Sequence, residues 1–428
     1  MDFMTAHPPA EVSRPATPSV ARVWLKPKKA LPFYGRHPWV RDSAVARVEP
    51  VLSAPTGVDA NDLARYDGAM VDLLNDKGVF IARGFFNSRS HIRVRLYSWL
   101  ETESLNADFF RARIERAIAL RTEIGYEGGP RESTATRLVF SEVDGLSGLV
   151  VDRYGDYVVI QATSFAIAER LETIVPVLFE LVQPKGILLR TDRSSSKWEG
   201  FELEDGKVWG EAPSGPIVIE ENGLKFEIDL REGQKTGFFL DQRENRLTAA
   251  KYLKGRRVLD MFCYTGGFAL AAAKEGAVDV LGIDGSKKAI GHARHNAELN
   301  QLTNCRFDDG DAFKTIEAYQ AEGRKFGGII LDPPKFAPSR SKVNDALMAY
   351  HRLNRTALDL LEPGGILVTC SCSGSVTRED FVLMLSGVAQ KSGRHIQILE
   401  QRGAAPDHPF AATCLETEYL KCLICRVV

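Results

Sequence analysis

Short apolar runs broken by Gly, Pro and Asn fill residues 22–103. Residues 69–73, 79–82 and 92–96 read as strands, with Gly78, Gly84 and the Asn87-Ser88 pair as turns between them. This pattern predicts a small β-rich domain. Over 104–123 the period changes: Phe110, Ile114 and Ile118 recur every four residues, which predicts an amphipathic helix. Arg111, Arg113, Arg116 and Arg121 lie elsewhere on its surface, as either a solvated face or an RNA contact. Beyond it, runs at 149–151 and 157–160 flank Gly155-Asp156, a hairpin signal. A helix is expected over 167–181 and a strand over Gly186–Arg190. A second hairpin follows, with 217–219 and the alternating Leu224, Phe226, Ile228 and Leu230 on either side of Asn222-Gly223. Residues 104–222 are therefore expected to form a central α+β domain.

From 223 to 428 the character changes again. Apolar runs at 258–262, 280–283, 328–331 and 366–368 alternate with helical stretches, which predicts an α/β, Rossmann-like domain with a doubly wound parallel sheet. An apolar run at 419–428 reads as a last strand. At the other end, residues 1–21 are rich in Pro, Ala, Ser and Thr and lack the apolar stretch of a signal peptide, so a disordered tail is expected.

Composition narrows the function classes. With 44 % apolar and 26 % charged residues and no run of about 18 apolar residues, the chain reads as a globular protein without a membrane partner. Net charge is −1, which excludes a globally basic nucleic-acid binder, yet residues 1–100 hold 14 Lys/Arg against 9 Asp/Glu. A polyanion contact is expected at that end. The seven cysteines all lie at or after Cys263, an odd number that argues for reduced thiols and a cytoplasmic location. Cys422 and Cys425 form a CxxC, but within the apolar last run, so no metal is expected there.

The candidate chemistry sits where the expected strands end. The first ends in Asp260-Met261-Phe262-Cys263-Tyr264-Thr265-Gly266-Gly267 and runs into a helix. The turn is neither GxGxxG nor a P-loop, so a phosphate site is disfavoured. Asp260 suits a ligand with a cationic or amine group, and S-adenosylmethionine carries both. Phe262, Tyr264, Thr265 and Gly266 would line it. Asp284 ends the second strand and can accept from both ribose hydroxyls, with Ser286 next to it able to cap the following helix. Asp311 and Ala312, after the third strand, would meet the adenine amino group.

The fourth strand leads into Asp332-Pro333-Pro334-Lys335-Phe336, a stiff loop in which Asp332 can accept from an exocyclic amine. The fifth leads into Cys370-Ser371-Cys372-Ser373-Gly374. A thiolate adding to carbon 6 of a pyrimidine makes carbon 5 nucleophilic enough to take a methyl group. Leu240-Asp241-Gln242-Arg243 precedes a helix expected over 245–252. There Gln242 and Arg243 would lie by the methionine end of the cofactor, Arg243 binding its carboxylate, unless Asp241 merely caps the helix.

These pieces together resemble class I S-adenosylmethionine-dependent methyltransferases. From about residue 22 onward the chain is similar to the bacterial large-subunit ribosomal RNA cytosine-5 methyltransferase family of the RlmI/YwbD type. The likeness rests on GRHPWV (35–40), GFFN (84–87), SHIRVR (90–95), GQKTGFFLDQR (233–243), 260–267, 332–336 and SCSG (371–374). It implies an N-terminal PUA domain that binds RNA, S-adenosylmethionine as cofactor, large-subunit ribosomal RNA as partner, and Cys372 as nucleophile with Asp332 beside it. Cys370 leaves a competing TCS reading open, and Lys335 stands where other RNA cytosine-5 methyltransferases place a second Cys. Two other readings remain: methylation of an RNA base nitrogen without a thiol, and a non-catalytic RNA-binding factor. A homodimer is an open alternative to a single chain.

Overall fold

The computed structural model describes residues 18–51, 62–126, 133–191, 193–231, 236–337 and 339–428, with 193–195 by backbone alone. Residues 1–17 of the expected tail, and Gly233, Gln234 and Lys235 of the long motif, lie outside the described residues. Ala21, placed at the end of the tail by composition, is fully buried and opens the first strand.

The N-terminal domain contains β1 (Ala21–Leu25), α1 (Leu31–Tyr34), β2 (Trp39–Arg41), β3 (Val45–Pro50), β4 (Met70–Leu74), β5 (Phe80–Phe86) and β6 (Ile92–Ser98). They form one sheet in the order β2-β6-β5-β4-β1-β3, closed over a core that includes Val23, Val71, Leu73, Val94 and Leu96. Gly84, read as a turn, lies inside β5. A Cβ there would sit 2.1 Å from the Arg95 carbonyl oxygen, so the strands approach closely only because the position is glycine.

The central domain has α2 (Ala107–Glu123), β7 (Ala135–Phe140), β8 (Leu149–Tyr154), β9 (Tyr157–Ala162), α3 (Phe165–Ala168), α4 (Leu171–Val182), β10 (Gly186–Arg190), α5 (Arg193–Glu199) and β11 (Val208–Gly210). Its sheet runs β11-β10-β9-β8-β7. The helix expected over 167–181 is broken at Arg170, whose guanidinium donates to the carbonyls of Ala166 and Gly68 and lies over the Phe85 ring. Nor does Arg121 lie on the surface of α2. It is wholly buried and donates to Asp144 and to the carbonyls of Arg137 and Asp407.

The first two domains are one packed body at their junction. Phe85 and Tyr97 share a core with Phe109 and Phe110. Buried Glu199 accepts from Arg95 (2.9 Å), Ser90 (2.7 Å) and Asn87 (3.3 Å), and from the Phe165 backbone N–H (3.2 Å).

The third domain begins with β12 (Ile217–Glu221) and β13 (Leu224–Ile228). Asn222 and Gly223 between them both take positive φ, 52° and 69°, as a two-residue primed turn requires. The expected boundary between 222 and 223 thus cuts a hairpin. Both strands belong with the third domain, because Ile219, Phe226 and Ile228 pack into one core with Leu270 and Ala293. There follow α6 (Arg243–Leu253), β14 (Arg257–Met261), α7 (Gly267–Glu275), β15 (Asp279–Asp284), α8 (Lys287–Leu299), β16 (Cys305–Asp309), α9 (Ala312–Ala321), β17 (Phe326–Leu331), α10 (Val343–Leu360), β18 (Leu361–Ser371), α11 (Arg378–Ser392), β19 (Ile396–Arg402) and β20 (Lys421–Val427). The sheet order is β16-β15-β14-β17-β18-β20-β19. It departs from an all-parallel sheet at β20, which pairs antiparallel with both β18 and β19. The chain returns from β19 through an irregular segment with no crossover helix, so antiparallel pairing is what it can form. Strand order reverses between β14 and β17, and open α/β sheets bind ligands at such a switch point.

We predict that Glu199→Ala destabilises the protein by ~1.5–3 kcal/mol, because it removes one of the two carboxylates on the buried Arg95 guanidinium, Glu142 being the other, and leaves an N–H unpaired. Chemical denaturation checks this. A loss below about 1 kcal/mol would mean that Arg95 is satisfied without it.

Candidate active site

A cavity of about 600 Å³ opens at the switch point. Its floor is the turn after β14. Phe262, Tyr264 and Gly266 hold φ of 65°, 49° and 88°, left-handed values that cost a bulky residue of order 1–3 kcal/mol. That strain lets the chain turn directly into α7. Asp260, 1 % exposed, holds the helix start by accepting from Ala269 N–H at 2.9 Å through one carboxylate oxygen. Its other oxygen, Oδ1, is buried without a hydrogen-bond partner. Burial, and then the neighbouring Asp332 and Asp284, push this carboxyl well above the usual range. An acceptor left over in an acidic cavity calls for a donor that carries positive charge.

Asp284 joins two loops. One oxygen accepts from Tyr264 N–H (2.9 Å) and the other from Ser286 N–H (2.8 Å). Each oxygen retains a second lone pair for a hydroxyl. Ser286, not Asp284, caps α8. Asp311 lies two residues beyond β16 and caps α9, accepting from Lys314 N–H, so one of its oxygens is committed to the helix. Ala312 follows it in the lining. Phe262, Phe313, Phe336 and Tyr350 form a chain of ring contacts along one side.

Asp332 follows β17 and accepts from Gln242 Nε2 at 3.0 Å, while Gln242 Oε1 accepts from Asn245 at 2.6 Å. The Asp332 loop is tied to the Cys372 loop through Ser373, whose hydroxyl accepts from Ala337 N–H (3.1 Å) and lies 3.2 Å from the Tyr350 hydroxyl. Cys372, half-buried, lines the cavity one residue past the end of β18. Cys370 is 0 % exposed within β18, opposite Cys422 of β20. Contact with the Cys422 thiol, and then burial, push the Cys370 thiol well up. Cys263 also lines the cavity, but burial raises its thiol likewise.

The cavity therefore brings together Asp260, Phe262, Tyr264, Thr265, Asp284, Ser286, Asp311, Ala312, Gln242, Asp332 and Cys372. Gly266 supports the turn from behind, where a Cβ would press on the Phe307 ring at 3.2 Å. Arg243 is a correction. It is 1 % exposed and does not line the cavity: it faces Glu221 and Asp407 at 3.5 Å each, donates to the Ala135 carbonyl and covers the Tyr126 ring. The N-terminus of α6 is turned so that Gln242 faces the cavity and Arg243 the core. Asp241 does not cap α6 either; it accepts from the Tyr419 hydroxyl at 2.6 Å. Residues that sequence reasoning missed include Arg246, Ser373 and Tyr350. For Arg246 a signal existed, since it stands one turn after Gln242 on a helix whose start was expected at the site.

The chain is similar to known proteins over most of its length. A family model described as S-adenosylmethionine-dependent methyltransferase matches residues 206–420, and one described as a PUA-like domain matches 23–99. The chain is 39 % identical over 408 residues to "Ribosomal RNA large subunit methyltransferase I" of Shewanella amazonensis, covering 95 % of this chain and 99 % of that protein. It is 38 % identical over 395 residues to the protein of that name from Escherichia coli O127:H6, covering 92 % and 96 %. The crystal structure of SMU.776, described as a methyltransferase complexed with SAH, superposes with a TM-score of 0.80 at 21 % identity, covering 95 % and 99 % of the two chains. That likeness speaks for the fold alone.

We predict that Asp284→Ala weakens S-adenosylmethionine binding by ~1.5–3 kcal/mol and by more than Asp332→Ala does, since each Asp284 oxygen keeps a lone pair for a ligand hydroxyl. Titration calorimetry of the two variants decides it, and equal affinities would remove Asp284 from the ribose.

Proposed function

The chain belongs to the S-adenosylmethionine-dependent large-subunit ribosomal RNA methyltransferase I family, and on that premise we propose that it forms 5-methylcytosine in that RNA through a covalent adduct at Cys372. The observation that carries the reading is the position of Cys372. It is a half-buried thiol on the cavity wall, joined through Ser373 to the loop that bears Asp332, while Cys370 and Cys263 are buried and held as thiols.

Bound S-adenosylmethionine supplies an electrophilic methyl group on its sulfonium. The orphan oxygen of Asp260 fits its amine, Asp284 its ribose hydroxyls and Asp311 with Ala312 its adenine. The target cytosine must leave its stack to enter the cavity, where Asp332 can accept from its exocyclic amine. Cys372 adds to carbon 6, and carbon 5 becomes enamine-like and able to accept the methyl group. Loss of the carbon-5 proton to a base then expels the Cys372 thiolate. Gln242 keeps Asp332 aimed at the cavity throughout.

Contact with the RNA backbone is supported outside the cavity. A cleft of about 500 Å³ between the first two domains is lined by Arg36, Trp99, Arg113 and Arg116. Burial lowers the affinity of Arg113 for its proton, Glu103 at 3.8 Å opposes this, and the nearby Arg116 and Arg36 add to the lowering. Such a cleft suits phosphates. Of the three acids that also line it, Glu142 and Asp144 are paired with Arg95 and Arg121, and Glu123 lies at the end of α2. Among the described residues no helix is long and apolar enough to cross a membrane. The cytoplasm is the compartment we propose.

RNA carrying 5-fluorocytosine should trap the adduct, because fluorine cannot leave as a proton does. Wild type and Cys370→Ala are expected to form a covalent complex visible on a denaturing gel, and Cys372→Ala is not. An adduct that survives Cys372→Ala and vanishes with Cys370→Ala would reverse the assignment.

A further inference from the structure

The last strand opens on a charge at the head of an apolar run, Lys421 in YLKCLIC. It opens β20 opposite Ser371 of β18, with Leu423, Ile424 and Cys425 fully buried beyond it. A lysine at such a place ordinarily reaches out to water along its methylene stem. This one does not: it is 1 % exposed. Its Nζ donates to the carbonyl of Ser373 at 2.7 Å and to that of Tyr419 at 2.8 Å. Ser373 is the residue next to Cys372, so the ammonium sits on the backbone of the loop that presents the thiol.

Two of the three ammonium N–H groups are thereby used, both on neutral carbonyls. Among the described residues no carboxylate lies within ion-pair distance of Nζ. The charged groups that face it are Glu418, just before it in the chain, and Arg378 and Asp380 of α11. Glu418 is paired with Arg378 at 2.8 Å, and Asp380 is held by Thr377 in the capping box of α11. A buried cation without an anion is costly. What faces it from the cavity side is Cys372, which in turn has Asp332 and Tyr350 as titratable neighbours. Asp332 is an anion and Tyr350 a neutral phenol, so neither balances a thiolate at Cys372 by charge. Lys335 and Arg246 line the cavity as well, but Lys421 is the cation bonded to the backbone of the thiol's own loop.

We propose that Lys421 is a positioning residue for Cys372: held on the Ser373 carbonyl, its ammonium stabilises the Cys372 thiolate both as it forms to attack carbon 6 and as it is released. The inference rests on Cys372 being the nucleophile. No oxidant or further reactant is involved, since the lysine keeps its proton and the thiol proton passes to solvent. Burial pushes the ammonium down to about 8, while the charge on Cys372 pulls it upward. The support it gives is therefore present at neutral pH and is lost as pH rises through that value.

The test is peptide-resolved alkylation of Cys372 by iodoacetamide across a pH series, which reads the thiolate without requiring methyl transfer. Lys421→Gln retains donors for the two carbonyls and removes the charge. It is expected to raise the midpoint of Cys372 alkylation by about one pH unit or more and to lower 5-fluorocytosine adduct formation at neutral pH about tenfold. Affinity for S-adenosylmethionine should stay within about twofold, and Lys421→Arg should return the midpoint toward wild type. An alkylation profile for Lys421→Gln that overlays wild type would overturn the proposal. Should Lys421→Gln fail to bind the cofactor, Lys421→Arg carries the test: a wild-type midpoint supports the role of the charge, and a shifted one refutes it. Wild type that shows the lysine-dependent midpoint yet forms no adduct would count against the cytosine-5 reading and leave the lysine's action on the thiol intact.

Discussion

A buried guanidinium needs anions or carbonyl oxygens around it, and in this protein that requirement joins parts of the chain that are far apart in sequence. Arg246 makes a bidentate pair with Glu221 of the β12–β13 hairpin, at 2.7 and 2.8 Å, and donates to the Phe239 carbonyl. Arg243, one turn earlier, faces the same Glu221 and also Asp407. Asp407 in turn accepts from the Arg137 backbone N–H of β7, and its carbonyl from Arg121 of α2. Hairpin, α6, central domain and the segment after β19 are thus held at one buried knot. Breaking one partner would leave an uncompensated charge in the core, a cost of ~3–5 kcal/mol. What the knot fixes is the start of α6, and with it the Gln242 amide against Asp332.

The cavity in front of that knot has the opposite problem. Asp260, Asp284, Asp311 and Asp332 converge there, and the deepest of them keeps an oxygen without a partner. Burial, and then the nearby Asp332 and Asp284, raise the proton affinity of Asp260. A ligand with a sulfonium and an ammonium relieves this, so the acidity that destabilises the empty site favours the occupied one. On the far side Lys421 places a buried ammonium on the loop that bears Cys372. In the proposed mechanism the acids would serve the methyl donor and the lysine the thiolate that activates the acceptor.

Much of this was legible in the sequence, for physical reasons that differ by element. The strand-end acids were found because a Rossmann-like sheet puts its chemistry at the carboxyl ends of strands, and each acid follows an apolar run. The sequence left Cys370 open beside Cys372, and the difference in their burial comes from the sheet, where β18 continues to Ser371 and takes the earlier thiol inside. Arg243 and Arg121 were misread for a shared reason. Helical periodicity tells which positions share a face, but a guanidinium on an apparently polar face can still be buried when a distant segment supplies its oxygens, here Asp407. The antiparallel β20 and the hairpin that crosses the expected boundary were likewise set by tertiary packing that no local pattern encodes.

The central claim is that this family member methylates carbon 5 of cytosine, and the position of the methyl group on the product tests it most directly. Purified protein, S-adenosylmethionine labelled in its methyl group and large-subunit ribosomal RNA would be incubated, the RNA digested to nucleosides, and the labelled nucleoside identified by chromatography and mass spectrometry. The account predicts label in 5-methylcytidine, absent from the Cys372→Ala reaction. Label in a nucleoside methylated on nitrogen, or undiminished transfer by Cys372→Ala, would contradict it.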